Sequence, residues 1–177
     1  MKLFLAKLCL ASLAVLIVSA CHQPPATSTP PAPTATPAPT PYRLSETGLQ
    51  FGLPANWTAS KAGSDTVVVT SPDNELSVSF IETAEKERKV AELLNTFNKD
   101  HRGVKKGTTR QGAFNSLPHT SQSGEATNTV TNKTFEWSID TLTAKKPLVI
   151  YSQVNHEAKG NYRQDYEKLI SSLRPIQ

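Results

Sequence analysis

Between Gln23 and Pro41 the chain is almost entirely Pro, Ala, Thr and Ser, with prolines at 24, 25, 30, 31, 33, 37, 39 and 41. Each proline fixes its own φ and biases the preceding residue toward extended backbone, and the segment offers no large apolar side chain to bury. No packed element can form from such a run. It reads as a tether, with a reach of at most roughly 60 Å at about 3.1 Å per residue in polyproline geometry. O-glycosylation of its Thr and Ser is the functional alternative to a bare spacer. Folding is thereby confined to Tyr42 through Gln177, about 136 residues, a length typical of one domain with a real core.

Upstream of the tether lie Lys2 and Lys7, an apolar stretch from Leu8 to Val18, then small residues and Cys21. Basic residues, a short apolar core and small cleavage-site residues are the layout of an export signal. Val18-Ser19-Ala20-Cys21 resembles a bacterial lipobox. In bacterial lipoproteins the cysteine thiol is diacylated, the peptide is cut just before it, and the new amine is acylated. The resemblance therefore implies that residues 1–20 are a signal peptide and that Cys21 carries lipid as the first mature residue. Val18 departs from the leucine more usual at its position. An uncleaved membrane helix is the alternative, but the apolar core is about half of the roughly 20 residues a span needs. His22, not aspartate, follows the cysteine. In enteric-type lipoproteins that pattern implies the outer membrane, facing the periplasm.

Removing the signal changes the chemistry available. Cys9 departs and Cys21 is blocked by lipid, so the mature chain keeps no thiol for catalysis, disulfide or metal. Of 19 basic residues Lys2 and Lys7 are lost, and the remaining 17 against 15 acidic leave a net charge of +2. That is too weakly basic to argue for nucleic acid.

Within 42–177 the hydrophobic period alternates between two and 3.6. Leu49, Phe51 and Leu53 alternate before Pro54, with Trp57 following; Thr66 to Thr70 is a β-branched run. Leu76, Val78 and Phe80 alternate with serines after the Pro72-Asp73-Asn74 turn. These segments predict a three-stranded meander. Val90, Leu93, Leu94 and Phe97 then fall at helical spacing. With Thr83 as N-cap and Gly103 as stop, they predict a helix from about Ala84 to Arg102. A weaker β region follows from Val104 to Phe114 and a polar stretch from Leu117 to Thr129. Phe135, Trp137 and Ile139 alternate with polar residues, and the Ala144-Lys145-Lys146-Pro147 turn joins them to Leu148–Val154 as a hairpin. Tyr162, Tyr166, Leu169, Ile170 and Leu173 predict a closing helix capped by Asn161 and stopped by Pro175. That helix is expected to cover the sheet containing Phe135, Trp137 and Ile139.

These elements imply an α+β fold, an antiparallel β-sheet with packed helices. The opening Phe51-Gly52-Leu53-Pro54-Ala55-Asn56-Trp57 and the ending Tyr166-Glu167-Lys168-Leu169-Ile170-Ser171-Ser172-Leu173 resemble the Mog1/PsbP-like superfamily, which includes small bacterial lipoproteins of the DcrB type. The resemblance covers most of 42–177 in element order. Its motifs are short and structural.

Candidate chemistry is sparse. There is no G-x-S-x-G, and abundant Ser with His101, His119 and His156 does not make a triad. Those histidines and their acidic neighbours form no H-x-x-x-H or carboxylate-rich loop, so no metal ligand and no cofactor is assigned, although the resemblance admits a weak manganese or calcium site. His101 is expected at a helix C-terminus, His119 in a loop or edge strand, and His156 in a turn. Lys86, Arg88, Lys89, Lys99, Arg102, Lys105, Lys106 and Arg110 are interleaved with acidic residues and read as a solvated face, with an anionic-lipid patch as the alternative. Trp57, Trp137 and Tyr151 read as core anchors, with a shared ligand pocket as the alternative. The expectation is a lipid-anchored envelope binding or scaffolding protein without catalysis, touching the membrane through its anchor and an envelope protein partner. A periplasmic small-molecule or cation-binding lipoprotein is second, and an envelope-polymer hydrolase third.

Overall fold

The computed structural model describes residues 41–177. The expected signal peptide, Cys21 and the expected tether up to residue 40 lie outside the described residues. None of the described helices is long and apolar enough to cross a membrane.

Two antiparallel sheets and two helices make the fold. The large sheet runs in the order β3 (Thr58–Lys61), β4 (Thr66–Thr70), β5 (Leu76–Glu82), β10 (Leu148–Asn155), β9 (Thr134–Leu142), β8 (Leu117–Asn128) and β6 (His101–Lys106), and β7 (Arg110–Phe114) also pairs with β8. β7 takes the first half of β8 and β6 the second. The small sheet is β1 (Tyr42–Leu44), β2 (Leu49–Phe51) and β11 (Arg174–Pro175). The helices are α1 (Lys86–Asp100) and α2 (Lys159–Ser171). This is an α+β fold, rich in sheet.

The pleat sends alternate residues to opposite faces, and each face meets one helix. Ile81, Trp137, Ile139 and Val149 face α1, packing with Phe97 and with Val90, Leu93 and Leu94. Val67, Val69, Leu76, Val78, Phe80 and Ile150 form the other core with Leu169 and Leu173. The small sheet joins this second core through Phe51, whose ring stacks on Phe80 at 4.4 Å. The sequence expectation that α2 covers Phe135, Trp137 and Ile139 is thus corrected: α1 covers them. Both helices offer apolar faces of similar length, so hydrophobic period alone does not assign them to sides.

Other expectations also change. The 49–51 strand belongs to the small sheet and not to a meander with β4 and β5; a two-residue partner strand at Arg174–Pro175 is too short to read from sequence. Helix α1 starts after Glu85, and Thr83 Oγ1 accepts from the Glu85 N–H at 3.1 Å in a turn before it. At its other end Gly103 (φ 61°) lies within β6, at the register shift between Arg102 and Lys105, and does not terminate the helix. The helix stops two residues earlier because His101 is already extended. Asn161 lies inside α2, whose N-cap position is Ala158.

Candidate functional site

Directly paired residues of antiparallel strands project to one face. On the α2 side, Ser121 pairs with Asp140, Ser123 with Ser138, Glu125 with Glu136, and Ser138 with Ser152. The result is a polar surface on β8, β9 and β10 overhung by Tyr162 and Tyr166 of α2. Two adjoining concavities of about 200 and 310 Å³ lie there, both lined by Ser123, Ser138 and Tyr166. Phe114, the last residue of β7 before the β7–β8 turn, lines the second of them. Asn115 and Ser116 both have positive φ, the backbone of a tight hairpin turn, and Asn115 Nδ2 donates to the Leu173 carbonyl at 2.6 Å.

A hydrogen-bonded chain crosses the cleft. His119 Nε2 meets Asp140 Oδ1 at 2.9 Å, and Ser138 Oγ donates to Asp140 Oδ2 at 3.0 Å. Ser138 also meets Ser152 Oγ at 2.8 Å and Tyr166 OH at 3.4 Å. Burial, followed by the nearby Asp140 charge, pushes the Tyr166 phenol up. His119 sits in β8, between β9 and β7, and not in a loop or edge strand. The order of the chain decides its chemistry. A hydrolytic triad needs the imidazole between hydroxyl and carboxylate. Here the carboxylate is in the middle, an order that differs from that of such a triad.

Glu125, Glu136 and His156 carry ligand atoms within 4.8 Å of one another, a grouping that sequence spacing did not reveal because it depends on strand register. Lys159 Nζ lies 2.6 Å from Glu136 Oε2 and Lys105 Nζ 3.5 Å from Glu125 Oε2. His156, in the turn after β10 as expected, adds a contact to Glu136 at 3.1 Å. The two lysines neutralise a like-charged cross-strand pair that would otherwise repel.

The opposite face carries a cavity of about 490 Å³ at the C-terminal end of α1. Phe97 stacks on His101 at 4.0 Å, Tyr151 meets Phe97 edge-on at 6.4 Å, and Phe135 meets His101 edge-on at 6.1 Å. His101 Nδ1 donates to the Phe97 carbonyl at 3.0 Å, which fixes the ring as the helix C-terminal contact expected of it. Burial and the Asp100 charge hold the Tyr151 phenol far above its ordinary range. Trp57, Trp137 and Tyr151 do not share a pocket. Trp57 is buried beside Tyr162 on the α2 side, whereas Trp137 is buried 5.5 Å from Phe97 on the α1 side. In the basic segment, Arg88 pairs with Glu85 and Glu92, Lys86 with Glu87, Lys89 with Glu92 and Lys105 with Glu125, as a solvated face requires.

No protein-family model matches the sequence, and no curated protein matches it at a significant level. Solved structures do. Cyanobacterial PsbP (CyanoP) from Synechocystis sp. PCC 6803 aligns with a TM-score of 0.56 and 13% identity, over 80% of this chain and 95% of that one. A protein from Bacteroides thetaiotaomicron aligns with a TM-score of 0.52 and 10% identity, over 79% of this chain and 49% of that one. LpqN, involved in cell envelope biogenesis of Mycobacterium tuberculosis, aligns with a TM-score of 0.50 and 10% identity, over 78% and 90%. At these identities the likeness is one of architecture, and the architecture of this chain is similar to that of PsbP.

Proposed function

We propose that this chain is a binding lipoprotein of the cell envelope that performs no catalysis, held through Cys21 at the periplasmic face of the outer membrane. The lipobox-like Val18-Ser19-Ala20-Cys21 and the proline-rich tether support the anchoring. LpqN, an envelope-biogenesis protein, carries a similar fold, which agrees with that address. The observation that carries the non-catalytic reading is the His119–Asp140–Ser138 order, in which the serine faces a carboxylate acceptor instead of an imidazole base.

Two experiments test it. In labelled-palmitate growth, Cys21→Ser should abolish incorporation and leave unprocessed precursor; undiminished labelling contradicts the anchor. A fluorophosphonate probe should leave the protein unlabelled, and labelling that disappears in Ser138→Ala would overturn the absence of catalysis. A second observation favours small-ligand binding over scaffolding within this reading. Val130 is the one exposed large hydrophobic among the described residues, so they present no apolar docking patch.

A further inference from the structure

We propose that the cavity at the C-terminal end of α1 is a binding site for a small organic ammonium ion. The inference rests on the small-ligand reading above and gives that ligand a chemical class.

The cavity of about 490 Å³ is within the size range of small-molecule sites. Its walls are aromatic: Phe97 and His101 form a buried stack, and the half-buried rings of Phe135 and Tyr151 stand edge-on to it. An aromatic face attracts a cation through its ring quadrupole, and best when water is excluded. Asp100 is the one acidic residue in the lining, and no lysine or arginine is among the lining residues. Its carboxylate enters none of the ion pairs among the described residues. Burial first, and then this charge, raise the Tyr151 phenol above its ordinary range. Helix α1 ends at Asp100, so the negative end of its dipole adds to the same field. The basic neighbour Arg102 is not among the lining residues and donates to Asn132 Oδ1 at 2.7 Å.

The rim explains an otherwise idle side chain. Val130 is 88% exposed and lines the cavity mouth. Its position is fixed by Asn128 Oδ1, which accepts from the Val130 N–H at 3.0 Å and the Thr131 N–H at 2.9 Å. An apolar lip beside a carboxylate and aromatic walls suits a cation that carries methyl groups. An anion would meet Asp100 unshielded.

Calorimetric titration of the full-length chain in a non-ionic detergent tests the assignment. The probes are choline and 3,3-dimethyl-1-butanol, which keeps choline's shape with carbon in place of nitrogen. Choline should bind at least about tenfold tighter than its neutral isostere, because charge and not shape carries the cation–π attraction. Asp100→Asn should weaken choline about fivefold or more, and Tyr151→Leu similarly, whereas Tyr151→Phe, which keeps the ring, should stay within about twofold. Circular dichroism confirms that each variant is folded. Equal binding of the two probes, or choline binding indifferent to Asp100→Asn and Tyr151→Leu, overturns the proposal. The same cation occurs as a free solute and as a lipid headgroup. Glycerophosphocholine, which carries the headgroup phosphodiester, separates them: tighter binding than choline assigns a headgroup, weaker binding a solute. Loss of palmitate labelling does not affect these titrations, so the anchor and the cavity fail independently.

Discussion

On the α2 side of the large sheet, β4 and β5 present Val67, Val69, Leu76, Val78 and Phe80, whereas β8 and β9 present Ser121, Ser123, Glu125, Glu136, Ser138 and Asp140. The two halves share one sheet and one helix above it. The apolar half is sealed by Phe51, Leu44 and Leu49 of the small sheet and by Leu169 and Leu173, all of them fully or nearly fully buried. Each such side chain contributes about 1.5–3 kcal/mol through removal from water. The polar half is left under the overhang of Tyr162 and Tyr166, its hydrogen-bonding groups paired with one another. Stability is concentrated where the face is apolar, and the polar half is held by hydrogen bonds among its own side chains.

The largest expected effect breaks the seal. Leu169 is fully buried in the α2 core, so Leu169→Ala should cost about 2–5 kcal/mol in urea denaturation, transfer and cavity terms together. Lys168, one residue away, is exposed and pairs with Asp165 at 3.3 Å; Lys168→Ala should change stability by no more than about 0.5 kcal/mol. Equal losses would mean that the helix presents the wrong face.

A smaller effect concerns the polar half's own construction. Gly124 of β8 passes so close to β6 that a Cβ there would run into the Lys105 carbonyl oxygen and come within 2.9 Å of the Trp137 ring. Gly124→Ala should therefore cost about 1–3 kcal/mol by overpacking, whereas Gly112→Ala in β7, where a Cβ meets nothing within 4 Å, should be tolerated. The comparison fails if both glycines tolerate alanine.

The gentlest effect is a pH dependence. Lys133 first, and then Asn155, hold the Glu75 carboxyl below its ordinary value of 4.5. The unfolded chain therefore takes up this proton first. The stabilisation from Glu75 is present above that ordinary value and is lost as pH falls through the lower folded value. Glu75→Gln should flatten the acid limb of Tm against pH; an unchanged slope would remove the Lys133 and Asn155 contacts from the account.

How much was readable beforehand follows the same division. The β-branched run Thr66–Thr70 is β4 residue for residue, and the alternations at Leu76–Phe80 and Phe135–Ile139 are strands β5 and β9. Those segments have an apolar face, which is what a period-two pattern detects. Strand β8, the longest of the described strands at 12 residues, reads only as a polar stretch because polar residues stand on both of its faces. The His119–Asp140–Ser138 chain and the Glu125–Glu136 pair were hidden for a related reason. They are contacts across strands, and register is set by the fold and not by local spacing. The aromatic cavity draws Phe97, Phe135 and Tyr151 from three elements, and Phe97 was legible only as a core residue of its helix.

The central claim is that stability is concentrated in the apolar half of this sheet face and not in its polar half. Paired urea denaturation of Phe80→Ala and of the double variant Ser121→Ala with Ser123→Ala tests it most directly. Phe80 is fully buried against Phe51, and its truncation should cost about 3–5 kcal/mol. The two serines line the open cleft, and replacing both should shift stability by no more than about 0.5 kcal/mol. A double-serine loss comparable to that of Phe80→Ala would show that the polar half holds the fold together, and the account would be wrong.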